Sequence, residues 1–453
     1  MNFVESRLVG KMTIEDLIAA TQGEILAQGP LVFSGVSTDS RTIQEGELFV
    51  PLKGKTFDGH DYLLKALERG SGAVVSRKQD VFPDGKTILR VKDTLRALQD
   101  IAHHMRLARD IPAVAITGSN GKTTTKELVA GVLGTERHVL KNAGNLNNQI
   151  GLPLSLTRIT DEDEVIVLEM GASAPGDIRE LCNVAAPNCG VLTNINYTHL
   201  QGFKDLTTIR KTKLELLEYV DTVVANADDL FLMEGIKKSG FRGKIIGYGI
   251  NHDADVRAMD IRLHEIGSSL VLQFSGDEAV EVSPKISGMF NIYNILAAAS
   301  VGHLFGIAPI HIRQAVESFS GVPMRLKVKE MSGMIIVRDV YNANPASMEA
   351  AIREMVRIRK GRTIAVLGDM LELGVYAEEA HQKIGRLLSD LSVDIFIAVG
   401  PLMFIASSEF HGHVFIARDS DEADKLLRNT FRSGDTVLIK GSRGMSMERV
   451  LDN

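Results

Sequence analysis

The stretch "AVAITGSNGKTTTKE", residues 113–127, runs an apolar segment into a glycine-bearing turn, then Lys122 and three threonines. A strand, such a turn and a helix start form a polyphosphate cradle, in which first-turn N–H groups and a lysine meet the anion. Gly118 and Gly121 let the backbone approach the phosphates, Lys122 reaches the distal ones, and the Thr123 hydroxyl ligates Mg²⁺. Ser119, Asn120 and Thr124 complete the loop's candidate nucleotide contacts. The common form of this loop carries a further glycine where this chain has Ile116.

Such a loop needs a carboxylate on a neighbouring strand end to complete Mg²⁺ coordination. "VIVLEMG", 165–171, supplies Glu169 at a strand exit, and "NINYTHLQGF", 194–203, places His199 after another predicted strand, at the same expected edge. In "TTIRKTKLELLEYV", 207–220, Ile209, Leu216, Leu217 and Val220 share one helix face with Lys213 in its middle. Two readings stand for Lys213. It is a surface lysine whose stem lies on apolar neighbours, or a buried amine of lowered pKa that takes up CO₂ and becomes an anionic metal ligand.

Asn291 and Asn294 share a face near the start of the helix in "SGMFNIYNILAAAS", 287–300. Their amides either read a purine edge or serve the helix terminus. Asp339, Tyr341 and Asn342 follow a strand in "IIVRDVYNANPASM", 335–348. "LGDMLELG", 367–374, and "KGSRGM", 440–445, with Lys440, Ser442 and Arg443, follow two more. Acidic and basic groups at three loop ends of one sheet suit a zwitterionic substrate.

The elements that position these groups are short apolar β-rich runs, each followed by a loop and a helical pattern: 114–117, 165–171, 190–196, 363–369, 394–400 and 436–442. This alternation predicts an α/β fold with parallel, doubly wound sheets and ligands at the strand C-terminal ends. At 453 residues the chain exceeds one core. Three domains are expected: a small N-terminal α/β domain over 1–109, a central P-loop domain over 110–322, and a Rossmann-like α/β domain over 323–453, with Pro323 at the second break.

A formal charge of −6 argues against a nucleic-acid partner or an anionic membrane surface. Two cysteines, Cys182 and Cys189, lack a metal-ligand spacing and read as buried free thiols of a reducing compartment. No run reaches the ~18 apolar residues of a membrane span, and the first residues carry no apolar signal core. A cytoplasmic protein without membrane insertion is expected.

The segments "STDSR", "TGSNGKTTTKE", "NLNNQIGLPLSL", "LEMGAS", "HLQGF", "MFNIYN", "DVYNANPASM", "LGDMLELG" and "KGSR" together resemble the Mur ligases of peptidoglycan synthesis, in the family's order over residues 37–443. "EMGAS", "YNANPASM" and "LGDMLELG" favour the branch that joins D-alanyl-D-alanine to UDP-N-acetylmuramoyl-tripeptide. The family's shorter "TGxxGKT" loop accounts for Ile116. The resemblance implies ATP, two Mg²⁺ ions, a carbamoylated Lys213, and Thr123, Glu169 and His199 around the metal. It puts Asn291 and Asn294 on the adenine side, Arg325 and Asp339 at the nucleotide, and Ser37, Asp39, Ser40 and Arg41 at the UDP-sugar. Asn148, Tyr341, Asn342, Lys440, Ser442 and Arg443 become the remaining substrate-binding candidates. Gln201 and Lys204 depart from the branch's "HLEGFG". The implied enzyme is a monomer that forms an acyl phosphate and closes about a hinge near 320–325. The alternatives are a sibling ligase adding the third residue, a folylpolyglutamate synthase, or an ATP-dependent switch that ligates nothing.

Overall fold

The fold is described from a computed structural model, which covers residues 11–78, 81–198, 200–276 and 278–451. Three sheets carry it. A five-stranded sheet has the order Glu24–Ala27, Thr87–Arg90, Gly72–Val75, Glu47–Phe49, Gly35–Ser37, parallel except at its first strand. A nine-stranded sheet runs from Ala279–Val282 at one edge to Val139–Lys141 at the other. A six-stranded sheet has the order Lys327–Met331, Met334–Asp339, Thr436–Lys440, Thr363–Gly368, Ile395–Val399, His413–Ala417. All six apolar runs singled out in the sequence are strands of the last two sheets.

In the large sheet the strand Ala113–Thr117 lies between Val165–Glu169 and Cys189–Leu192, all parallel. These strands are buried along their whole length, which is why they read as unbroken apolar runs and not as alternation. Successive residues serve opposite faces. Val114 and Ile116 pack with Leu128 and Val129 of the helix Lys122–Leu133 and with the Ala-rich helix Met289–Leu304. Ala113 and Ala115 pack on the other side with Ile178, Leu181 and Ile209.

One part of the sheet departs from the all-parallel expectation. Val256–Leu263, Ser268–Phe274 and Ala279–Val282 are antiparallel to one another and extend it as a meander. Ser268–Phe274 alternates buried and half-buried residues, the period-2 signature of a strand with one covered face.

The break drawn at residue 109 falls between the helix Thr94–Leu107 and the strand Ala113–Thr117. That helix ties the two units together: Gln99 Nε2 donates to Glu180 at 2.7 Å, and Arg106 Nε donates to Ala185 O at 3.0 Å. The break at 322 falls between the helix Pro309–Ser318 and the strand Lys327–Met331. Gly321 (φ +87°) and Met324 (φ +64°) turn the backbone there. No described helix is long and apolar enough to cross a membrane.

The C-terminal sheet depends on aromatic packing well away from any cleft. Phe396 is fully buried and meets Phe410 edge-to-face at 5.8 Å. Phe396→Ala is expected to destabilise this unit by about 3–5 kcal/mol, read as a lower urea midpoint, while ADP binding at the central loop is kept.

Candidate active site

The phosphate loop connects the strand Ala113–Thr117 to the helix Lys122–Leu133, and the adjacent strand exit holds it from one side. Asn194 O accepts from Ser119 N at 2.9 Å, and Asn194 Oδ1 accepts from Asn120 N at 3.0 Å. Thr193 Oγ1 donates to Asn120 O at 2.7 Å, and Ser119 Oγ donates to Asn196 O at 2.7 Å. Two glycines are required by space as well as conformation. A Cβ on Gly118 (φ +146°) would lie 2.0 Å from Thr193 Oγ1, and one on Gly121 (φ +84°) would lie 2.4 Å from Asn294 Oδ1. With the loop pinned, the first-turn residues Lys122, Thr123 and Thr124 line the cleft, and first-turn N–H groups have no intrahelical partners and are free to meet an anion. Lys122 Nζ lies across the loop, donating to Gly118 O at 2.9 Å and Ser119 O at 3.1 Å.

Asn291 and Asn294 are buried, and their amides are engaged with protein groups. Asn291 Nδ2 donates to Ser287 O at 2.7 Å and Asn294 Nδ2 donates to Asn291 Oδ1 at 3.0 Å. Asn294 Oδ1 accepts from Thr125 at 3.2 Å, so this pair braces the phosphate-loop helix from the Ala-rich helix. Both still line the cleft.

Glu169 ends its strand 3% exposed. Asn147 Nδ2 donates to its Oε1 at 2.7 Å, and its Oε2 is sealed from solvent without a hydrogen-bond partner. A buried carboxylate oxygen without a donor is costly. Beside a phosphate loop its chemistry fits a hard cation. Lys213 resolves in favour of burial: it is 1% exposed, with Ile209, Leu216, Leu217 and Val220 all buried around it. Desolvation and the neighbouring Lys122 hold its amine well below the usual lysine range, against the opposing pull of Asp177, Glu215 and Glu169. Burial likewise lowers Lys122, opposed by Glu169 and reinforced by Arg325. His199 lies outside the described residues. Its neighbour Gln201 donates its backbone N–H to Glu372 O of "LGDMLELG" at 3.1 Å, so the loop that departs from the family pattern meets the C-terminal unit through main chain.

The C-terminal unit closes the cleft. Arg325 stacks on Tyr341 at 3.9 Å and its Nη2 reaches Thr123 Oγ1 at 3.4 Å. Asn344, the N-cap of the helix Pro345–Arg357, donates to Asn120 Oδ1 at 2.7 Å. Asp339 pairs with the buried Lys440, which also donates to Asn342 O at 2.9 Å, and Asp339 accepts from Leu326 N at 3.1 Å. Burial lowers the Lys440 pKa and Asp339 opposes it. The cleft between the units holds about 610 Å³ and includes Lys122, Thr123, Glu169, Asn148, Arg325 and Tyr341 in its walls.

Other expected site residues lie elsewhere. Ser442 is buried behind the wall, its Oγ accepting from Leu371 N at 2.8 Å, and Arg443 is exposed and paired with Glu448 at 3.0 Å. Ser37, Asp39, Ser40 and Arg41 form a turn after the edge strand Gly35–Ser37, away from the cleft walls. There Arg41 clamps Asp39 at 2.6 Å and holds its carboxyl down to about 2. Asn147, Asn194 and Asn344 belong to the site through contacts that no motif of the sequence marks. Their only sequence signal is the density of asparagines in "NLNNQ", "TNIN" and "YNANP".

An ATP-site cradle in the middle unit of a three-part α/β chain defines a nucleotide-dependent enzyme class, and comparisons with known proteins narrow it. Residues 32–106 match the Mur ligase family catalytic domain, 116–302 the Mur ligase middle domain, and 324–443 the Mur ligase glutamate ligase domain. The chain belongs to the Mur ligase family. It is 35% identical to the UDP-N-acetylmuramoyl-tripeptide--D-alanyl-D-alanine ligase of Bacillus subtilis, over 97% of this chain and 98% of that one. A MurF crystal structure from Acinetobacter baumannii superposes with a TM-score of 0.90 at 28% identity, covering 98% of each chain. The Thermotoga maritima MurF ligase, solved in complex with ADP, gives 0.82 at 31% identity, over 92% of this chain and 96% of that one.

Gly118→Ala combines a left-handed φ with a 2.0 Å contact. It is expected to weaken ADP binding about five- to 150-fold, the equivalent of roughly 1–3 kcal/mol of backbone strain, measured by titration calorimetry on a folded variant.

Proposed function

We propose that the chain is an ATP-dependent amide ligase that joins D-Ala-D-Ala to UDP-N-acetylmuramoyl-tripeptide, giving the UDP-linked pentapeptide, ADP and phosphate. The observation that carries this reading is the sealed Glu169 carboxylate set beside a phosphate loop, in a cleft that the C-terminal unit closes through Arg325 and Asn344. A full-length similarity to enzymes of that name supports it.

Joining a carboxylate to an amine in water requires an activated acyl group. The tripeptide's terminal carboxylate attacks the γ-phosphorus of ATP. A C–O–P linkage forms as the bond to ADP breaks. The amine of D-Ala-D-Ala then adds to the acyl carbon, phosphate departs, and the amine releases a proton. The first-turn amides and Lys122 bind the phosphates and oppose the repulsion between the two anions. Thr123, Glu169, His199 and a carbamoylated Lys213 would hold Mg²⁺, as two ions, which would supply charge neutralisation at the transferring phosphoryl group. Arg325 stacked on Tyr341 closes the nucleotide side and excludes water that would hydrolyse the acyl phosphate. Asp339 is assigned with Arg325 to the nucleotide, and Lys440, Tyr341 and Asn342 to the substrate side of the same cleft. Asn148 is read as a substrate contact. So are Ser37, Asp39, Ser40 and Arg41, whose turn holds the UDP-sugar, far enough away that its binding energy positions the reacting carboxylate.

A lysine amine can take up CO₂ only when neutral, losing a proton as the carbamate forms. Burial and Lys122 both lower the Lys213 pKa, which favours that form. The segment about Gly321 and Met324 is the hinge. The enzyme acts as a monomer in the cytoplasm, in keeping with its two buried free thiols.

Phosphate release from ATP is expected only when both UDP-tripeptide and D-Ala-D-Ala are present, with a product heavier by the dipeptide residue mass. Phosphate release without either substrate and without new product would overturn the ligase reading. Assays with lysine- and diaminopimelate-containing tripeptides assign the third residue. Lys213→Ala is expected to lose activity and to recover part of it with added short carboxylic acids, and wild-type-like activity without them would overturn the carbamate.

A further inference from the structure

Asn147 sits in the cleft wall beside Glu169 and holds one of its two oxygens. The arrangement is rigid on every side. Asn147 O accepts from Gly171 N at 2.8 Å, and Asn147 N donates to Asn145 O at 2.8 Å, which fixes the asparagine backbone against the exit of the Glu169 strand. Asn142 grips the peptide of Glu169 itself: its Oδ1 accepts from Glu169 N at 2.9 Å and its Nδ2 donates to Glu169 O at 3.0 Å. The same Nδ2 reaches Leu146 O at 2.8 Å. Behind them the fully buried Lys126, on the phosphate-loop helix, donates to Asn142 O at 2.7 Å. The chain of contacts runs from the phosphate-loop helix through Asn142 to the carboxylate. At its end Oε1 is occupied by Asn147 and Oε2 has no partner.

We propose that Asn147 is a positioning residue that makes Glu169 a one-oxygen ligand and thereby selects Mg²⁺ over Ca²⁺. The inference rests on the metal role assigned to Glu169 above. Mg²⁺ demands a near-ideal octahedron of single oxygens, whereas Ca²⁺ accepts six to eight oxygens and carboxylates that ligate through both. An amide N–H fixed on Oε1 takes one of that oxygen's acceptor sites and disfavours the two-oxygen mode. It also orients the carboxylate, as partners of metal-ligating groups commonly do. Asn147 touches neither phosphate nor acyl group in this role and acts only through Glu169.

The test uses the full-length protein with ADP. Enzyme-bound Mn²⁺ is counted by electron paramagnetic resonance, with Mg²⁺ and Ca²⁺ as competitors. Asn147→Ala removes the donor, and Asn147→Leu removes it while keeping the bulk. Both are expected to bind Mn²⁺ about ten- to a hundredfold more weakly, to shift the competition toward Ca²⁺, and to keep the wild-type melting temperature. Unchanged Mn²⁺ affinity and Mg²⁺/Ca²⁺ preference in both variants would overturn the proposal. So would an equal loss of both competitors, the signature of a general structural defect. Wild-type protein that holds no Mn²⁺ with ADP overturns the metal role and this inference together. Wild-type protein that holds Mn²⁺ but makes no amide product overturns only the ligase reading, and the comparison of variants then decides the role of Asn147 by itself.

Discussion

A backbone that offers its N–H groups to a ligand must have its remaining polar groups satisfied by something else. In this chain the exit of the strand Cys189–Leu192 does that work for the phosphate loop. Thr193, Asn194 and Asn196 take up the Ser119 and Asn120 main chain and the Ser119 hydroxyl. This leaves the helix start at Lys122 facing the cleft. The same neighbour limits what the loop can be made of, because Thr193 and Asn294 occupy the space that side chains at 118 and 121 would need.

The order of strands makes that bracing possible. Ala113–Thr117 is flanked on one side by the strand that ends in Glu169 and on the other by the strand that runs into Thr193. The chain reverses its direction of progress across the sheet at this strand, the switch point where open α/β sheets bind ligands. Glu169 and Lys213 are both taken out of water here, next to Lys122. Their burial makes each of them a poor isolated charge. On the reading proposed above, a bound cation and a carbamate on the lysine would remove that penalty for both.

The C-terminal unit approaches the loop through side chains that its own fold holds in place. Asn344 caps its helix while reaching Asn120, and Arg325 lies on Tyr341 while reaching Thr123. Further out, Arg357 donates to His264 O at 2.7 Å, and Lys360 pairs with Glu265 at 2.7 Å, on a connection of the antiparallel meander. The meander thus extends the nucleotide-binding sheet toward the unit that covers it. Its alternating burial is faint beside the apolar runs of the parallel strands, and the architecture was legible mainly from those runs.

By itself the sequence determined the local chemistry: which strands would be buried on both faces, where a turn had to be glycine, that Lys122 and Thr123 would open a helix after such a turn, and that Glu169 would stand at a strand end. Those features follow from residue type and short-range period, which act within a few residues. The environment of each group was decided only by tertiary structure. Lys213 had the same spacing whether it snorkelled or was buried, and only the packing of Ile209, Leu216, Leu217 and Val220 against the sheet excluded solvent from it. Asn291 and Asn294 had the spacing of base readers or caps, and only the approach of the phosphate-loop helix gave Asn294 its bond to Thr125 beside the cleft. Asn147 and Asn142 gained their partners from a strand more than twenty residues away. Hydrogen-bond partners set by strand order leave no period in the chain, and for that reason the contacts that aim the Glu169 carboxylate could be read only in the folded molecule.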